Sequence, residues 1–190
     1  MNVSGIVLAA GSARRFGAQK MLADLHGAPL VRWAVLAVTR SLATEVIVVA
    51  GADIAAIGAA LDGLPVQIIA NAQHAEGMST SLACGLGAID PTADAALVAL
   101  GDQPALSVDV VNALIARFDA GGARIVQPSY RGEPGHPVLF SRELFGELQD
   151  VRGDRGGREV LDRHAAEIIF VAIDIPMPRD VDTREDLEQS

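Results

Sequence analysis

One lysine, Lys20, stands among fourteen arginines in a chain of 190 residues. It closes the segment Leu8-Ala9-Ala10-Gly11-Ser12-Ala13-Arg14-Arg15-Phe16-Gly17-Ala18-Gln19-Lys20, which follows the first apolar run directly. An ammonium is a compact point charge on a flexible stem and a guanidinium is a planar fork, so the two do not interchange where a phosphate is held and released. An apolar strand feeding a glycine-containing cationic turn builds an anion cradle from backbone N–H groups and local positive charge. Gly11 and Gly17 are spaced G-x5-G, which is not the G-x-G-x-x-G of dinucleotide sites, and no Gly-Lys-Ser/Thr marks a Walker loop. What remains is a wide loop in which Ala10, Gly11, Ser12 and Gly17 can wrap phosphate oxygens. Arg15 and Lys20 are placed to neutralise charge that develops on a reacting phosphate. Arg14 either joins them or faces solvent.

Other polar clusters interrupt apolar runs farther along. In Asn71 to Ser81 (NAQHAEGMSTS), Gly77 precedes Met78 and three successive hydroxyl residues. Ser79 alone would satisfy an ordinary helix N-cap, and the excess of hydroxyls points to nucleotide contacts from Asn71, Gly77, Ser79 and Ser81. His74 reads as a solvated loop residue. Gly101-Asp102-Gln103-Pro104 follows the run DAALVAL. A carboxylate at the end of a buried strand suits Mg²⁺, which keeps several waters and takes one or two carboxylates with substrate phosphates. The alternative for Asp102 is a turn cap, and its place beside the first loop favours the metal. Asp180 or Asp182 could supply a second ligand, with Asp182 preferred and a capping role open. Gly135-His136-Pro137 constrains its backbone closely, for substrate contact or for a turn. Gly153 to Arg158 precedes a helical pattern and is either a second anion site or a solvated loop.

These residues need elements to position them. Buried strands are expected at 3–10, 45–50, 66–70, 94–100, 124–127, 137–140 and 167–173, and helices at 29–40, 53–61, 78–89, 109–118, 143–148 and from 156 to 164. Pro29 is expected in a helix first turn. Apolar strands alternating with helices define an α/β fold, a Rossmann-like, mostly parallel sheet covered on both faces. With no repeat or linker, the chain reads as a single domain over 1–190. In such sheets ligands sit beyond the carboxyl ends of the strands, where the segments 11–20, 71–81 and 101–104 fall. The net charge of -9 argues against nucleic-acid or anionic-membrane partners. The lone Cys84 excludes an internal disulfide and reads as an inert buried thiol. No apolar stretch reaches the ~18 residues of a membrane span, and no leader pattern opens the chain, so a cytoplasmic protein is expected.

Taken in order, LAAG..RRFG..K, N.....GMSTSL, GDQP, GHPVLF, GD.GGR and D.DT.EDL resemble the molybdenum cofactor nucleotidyltransferases across essentially the whole chain, the cytidylyltransferase branch most closely. The resemblance implies a Rossmann-like nucleotidyltransferase domain, Mg²⁺ with Mn²⁺ as a possible substitute, and transfer of CMP from CTP to molybdenum-loaded molybdopterin. It implies Gly11, Arg15, Gly17 and Lys20 in the nucleotide-phosphate loop, and Asn71, Gly77, Ser79 and Ser81 in a second nucleotide segment. It further implies Asp102 as a magnesium ligand, with Asp182 as the tail carboxylate, and Gly135, His136, Pro137 and Arg158 facing the pterin. Ala13, Ala72 and Arg184 depart from the residues usual in relatives. Ala10 in LAAG resembles the cytidylyl branch, where the guanylyl branch reads LAGG. The alternatives are a guanylyltransferase for the same cofactor, a cytidylyltransferase for a sugar or polyol phosphate, and a nucleotide-binding chaperone that delivers the cofactor to a molybdoenzyme.

Overall fold

A computed structural model describes residues 1–11, 16 and 19–189. The expectations placed on Ser12, Arg14, Arg15 and Gly17 lie outside the described residues. Among the described residues ten strands form: β1 (Val3–Ala9), β2 (Asp24–Leu25), β3 (Ala28–Pro29), β4 (Glu45–Ala50), β5 (Gln67–Ala70), β6 (Ala95–Leu100), β7 (Ile125–Tyr130), β8 (Glu133–Pro134), β9 (Val138–Ser141) and β10 (Ile168–Ile173). Seven α-helices join them: α1 (Leu30–Thr39), α2 (Ile54–Ala60), α3 (Met78–Leu86), α4 (Val108–Asp119), α5 (Phe145–Asp150), α6 (Arg158–Arg163) and α7 (Arg184–Glu188).

The main sheet runs β10-β7-β9-β6-β1-β4-β5, with β8 paired to β7, while β2 and β3 form a separate two-stranded ribbon. The β6-β1-β4-β5 half is parallel, as is the β10–β7 pair. Between these groups β9 runs antiparallel to both β6 and β7. The sheet is therefore largely parallel, as the apolar runs imply, with β9 and the two-residue β8 reversed in a way that no run of residues announces. Because side chains alternate across a strand, Val7 and Val48 enter the core beneath α1 and α4, while Ile6 and Ile47 enter the core beneath α3 and α5.

Local chemistry sets the helix starts. Asp53 accepts from the Ala56 N–H at 3.2 Å and begins α2, and Ser107 caps α4. Thr183 and Asp186 make a reciprocal capping box that begins α7. Pro29 ends β3 and occupies the N-cap of α1, one position earlier than a first-turn proline. Helix α3 ends at Leu86, three residues before the expected Ile89, since Gly87 forms its C-cap.

Parallel strands deliver their carboxyl ends to one rim. The segments after β1, β4, β5 and β6 all leave the sheet there. The approach is closest at Gly101, whose N–H donates to the Leu8 carbonyl at 2.9 Å. A Cβ at Gly101 would lie 3.1 Å from that same oxygen. Helix α3 also presses onto the sheet through a glycine: a Cβ at Gly85 would stand 2.6 Å from Ile6 Cγ2 and 3.2 Å from Val49 Cγ2. Both neighbours are fully buried, short and β-branched, so neither swings aside without backbone movement. Gly85→Ala is expected to destabilise the fold by about 1–3 kcal/mol through overpacking, despite the better helix propensity of Ala. Urea unfolding checks this, and an unchanged or raised midpoint would contradict the tight α3–β1 contact.

Candidate functional site

At the rim, Lys20 opens a single 3-10 turn (Lys20–Leu22) and is buried, with 8% of its surface exposed. Its Nζ donates to Asp102 Oδ2 at 2.7 Å and to Asp182 Oδ1 at 3.0 Å. Three segments far apart in the chain thus meet at one ammonium. The backbone reinforces the meeting, because the Val181 N–H donates to the Asp102 carbonyl at 3.0 Å and ties the tail to the end of β6. Burial is the largest influence on Lys20 and pulls its pKa down, but the hydrogen bonds and charges of Asp102 and Asp182 together outweigh it and leave a net rise. The group is therefore an ammonium at neutral pH.

Asp180 lies in the same acidic cluster. It accepts from Gln103 Nε2 at 2.8 Å. Burial first, and then the charges of Asp102 and Asp182, raise its pKa. Gln103 is itself buried, so the amide after Asp102 orients the tail rather than a ligand. The sequence offers Asp180 as the alternative to Asp182 for a second metal ligand, and gives no separate signal for Gln103.

Asp102 and Asp182 also fit a divalent ion, since two carboxylates face one cation position beside a phosphate-type loop. Among the described residues no three His, Cys, Asp or Glu side chains assemble a cage. An ion held by these two would draw its remaining ligands from water and phosphate.

Beside Lys20 a small cavity of about 200 Å³ is lined by Ala10, Gly11, Gln19, Gly51, Asp53 and His74, among others. His74 is half-buried rather than a solvated loop residue. Its ring lies over Gly51, where a Cβ would come within 3.3 Å of it, and its Nδ1 is buried without a hydrogen-bond partner. The loop leading to α3 is braced internally: the Asn71 amide donates to Thr80 Oγ1 at 2.8 Å and to Ser81 Oγ at 3.0 Å. Ser79 does not cap the helix. Gly77 takes that position at φ 118°, and the Ser79 N–H donates to the Gly153 carbonyl at 3.1 Å. A Cβ at Gly77 would lie 2.6 Å from that carbonyl, so only glycine lets the 153–158 loop dock here. The Ser79 hydroxyl is buried without a partner, whereas Thr80, which the sequence did not single out, bonds back to the Gln73 and Gly77 carbonyls.

A larger cavity of about 920 Å³ opens on the other side of the rim. Gly135, His136, Arg155, Gly157 and Arg158 line it together with Met78, Leu82, Phe140 and Phe170. Arg155 pairs with Asp162, while no carboxylate among the described residues pairs with Arg158. Pro137 is buried and joined to His136 through a cis peptide, and it does not line the cavity. Burial dominates His136 and lowers its pKa against the opposing charges of Asp180 and Asp102, which leaves a neutral imidazole at neutral pH. Two residues without a sequence signal hold this wall. The Tyr130 hydroxyl donates to the His136 carbonyl at 2.7 Å, and Gln127 Nε2 donates to the Gly135 carbonyl at 3.1 Å. A Cβ at Gly135 would strike the Tyr130 ring at 2.8 Å.

The site thus brings Lys20, Asp102, Asp182, Ala10 and Gly11 to one place, and Gly135, His136 and Arg158 to a neighbouring one. Asn71, Gly77, Ser79 and Ser81 shape the loop between α3 and the 153–158 segment. Cys84 is half-buried, and burial pushes its thiol pKa up, which suits an unreactive thiol.

Residues 5–177 match the profile of a family described as the MobA-like NTP transferase domain. The chain is 32% identical to nicotine blue oxidoreductase of Paenarthrobacter nicotinovorans, over 97% of this chain and 94% of that one. It is 31% identical to the purine catabolism protein PucB of Bacillus subtilis, over 97% and 93%. Among solved structures, Rv0371c of Mycobacterium tuberculosis superposes with a TM-score of 0.89 at 28% identity, covering 99% of this chain and 96% of that one. A manganese complex of Rv0371c superposes with a TM-score of 0.83.

Tyr130 is the only tyrosine of the chain, and burial pushes its phenol up to about 12. Spectrophotometric titration should therefore show no tyrosinate step near 10 while the protein stays folded. Because the folded pKa is the raised one, ionisation at high pH favours the unfolded chain. A step near 10 in folded protein would contradict a closed wall behind His136.

Proposed function

The chain belongs to the MobA-like NTP transferase family, and from that premise we propose that it transfers CMP from CTP to molybdenum-loaded molybdopterin, releasing pyrophosphate. The observation that carries the reading is the meeting of Lys20, Asp102 and Asp182 next to Ala10 and Gly11 at the carboxyl ends of parallel strands. Nucleotide transfer is the family's chemistry. CTP is favoured over GTP by Ala10 in the LAAG segment, and the pterin acceptor by the order of the six motifs along the chain.

A terminal phosphate oxygen of the acceptor forms a bond to the α-phosphorus of the triphosphate, and the α–β P–O bond breaks. The acceptor phosphate is largely ionised near neutral pH, so alignment and charge neutralisation do most of the catalysis. Lys20 and Arg15 neutralise charge on the α-phosphate and on the leaving pyrophosphate. Asp102 and Asp182 would hold Mg²⁺, which when bound would supply further neutralisation of phosphate charge. Mn²⁺ is a reasonable substitute, given that Rv0371c has been crystallised with manganese. Arg158, in the larger cavity, offers an anion contact for the acceptor, and His136 offers a neutral imidazole.

A second reading comes from the relative named nicotine blue oxidoreductase. Under it, the chain would change the absorbance of nicotine blue in the presence of an added electron carrier and with no triphosphate present. No helix among the described residues is long and apolar enough to cross a membrane, and a cytoplasmic location with a molybdoenzyme as recipient accords with the proposal.

The decisive assay is a matrix of CTP and GTP against molybdopterin and polyol-phosphate acceptors, reading pyrophosphate and product mass. CTP with the molybdenum-loaded pterin is expected to give the highest turnover. Lys20→Ala and Asp102→Asn are expected to stay folded and to lower turnover by about 10²–10³, the scale of losing one preorganised charge contact. Near-normal turnover in either variant would remove that residue from the reaction, and dye conversion without triphosphate would favour the redox reading.

A further inference from the structure

We infer that Lys20 is a built-in competitor for the divalent-metal position, keeping free metal ions off Asp102 and Asp182 until a triphosphate draws its ammonium away. The inference rests on the proposed reading of those two carboxylates as metal ligands.

The geometry carries it. Lys20 Nζ is 2.7 Å from Asp102 Oδ2 and 3.0 Å from Asp182 Oδ1, which puts one positive charge between two oxygens that would bind a metal ion. Lys20 is held there by burial on its own side, while Asp182 remains about half exposed. A divalent ion reaching the same oxygens would sit a few ångströms from the ammonium, and like charges at that separation in a partly desolvated site repel strongly. Metal and ammonium therefore cannot both use this pair of carboxylates in the arrangement seen.

The ammonium has somewhere to go. Its stem is long and flexible, and Lys20 also lines the cavity of about 200 Å³ with Ala10, Gly11 and Gly51. A triphosphate seated in that cavity would offer anionic oxygens in exchange for the two carboxylates. Metal binding and triphosphate binding are then positively coupled through one side chain, and the coupling is reciprocal. The carboxylates stay paired when no ligand is present, so two acidic groups are never left uncompensated in a half-buried site.

The test uses the full chain without nucleotide. Mn²⁺ binding is read from loss of the free-ion electron paramagnetic resonance signal, for the unsubstituted protein, Lys20→Gln and Lys20→Met. Gln keeps a hydrogen-bonding head and Met keeps the length, so both avoid an empty space. Both neutral variants are expected to bind Mn²⁺ at least about tenfold more tightly, within the range typical of coupled sites. Adding Asp102→Asn to Lys20→Gln is expected to abolish that gain. If a Lys20 variant melts lower, Mn²⁺ should raise its melting temperature more than that of the unsubstituted protein. Equal or weaker Mn²⁺ binding by the neutral variants would overturn the inference while leaving the transfer reaction intact. Absence of Mn²⁺ binding in every form would overturn it together with the metal role of Asp102 and Asp182, a failure separate from any result in the turnover matrix.

Discussion

A buried ammonium between two aspartates is the constraint on which the rest of this structure turns. Lys20 is 8% exposed and pairs with Asp102 and Asp182, residues 82 and 162 positions away in the chain. Placing three ionised groups in a partly desolvated site costs free energy unless each is matched. The match here is geometric: the strand order must carry the end of β6 beside the end of β1, and the tail must return across the rim. Parallel pairing of β1 with β6 does the first. The hydrogen bond from Val181 to the Asp102 carbonyl does the second.

Glycines set how closely the backbones meet around that centre. Gly101 lets β6 exit against the Leu8 carbonyl, Gly77 lets the 153–158 segment rest on the start of α3, and Gly85 lets α3 lie against Ile6 and Val49. Each is a contact that a methyl group would enter. The sheet thereby divides the rim into a small cavity beside Lys20 and a larger one walled by Gly135, His136 and Arg158. Under the proposed transfer reaction, these two cavities would take the donor nucleotide and the acceptor separately.

Much of this was legible from residue types. The buried strands are continuous apolar runs, so β1, β4 and β6 were visible from Val, Ile, Leu and Ala alone, and the helical spacing of residues 53–61 marked α2. Lys20 and Asp102 stood out because one is chemically unique in the chain and the other ends a buried run. What the residues concealed was direction and partnership. Nothing in VLFS says that β9 runs against its neighbours, since an antiparallel strand covered on both faces reads like a parallel one. Ser79 has the composition of a cap, yet Gly77 takes the position because its backbone alone reaches φ 118° beside Gly153. Tyr130 and Gln127 had no local signal at all. Their partners are carbonyl oxygens brought near only by the fold.

We propose that Lys20 and a metal-bound triphosphate occupy one cation position at the rim in turn. A crystal structure with Mn²⁺ and a non-hydrolysable CTP analogue tests it most directly, through the anomalous signal of the metal. That signal is expected between Asp102 and Asp182, with Lys20 Nζ turned from the carboxylates onto a phosphate oxygen. A metal peak elsewhere, with Lys20 still bonded to both aspartates and the nucleotide bound away from Gly11, would contradict it.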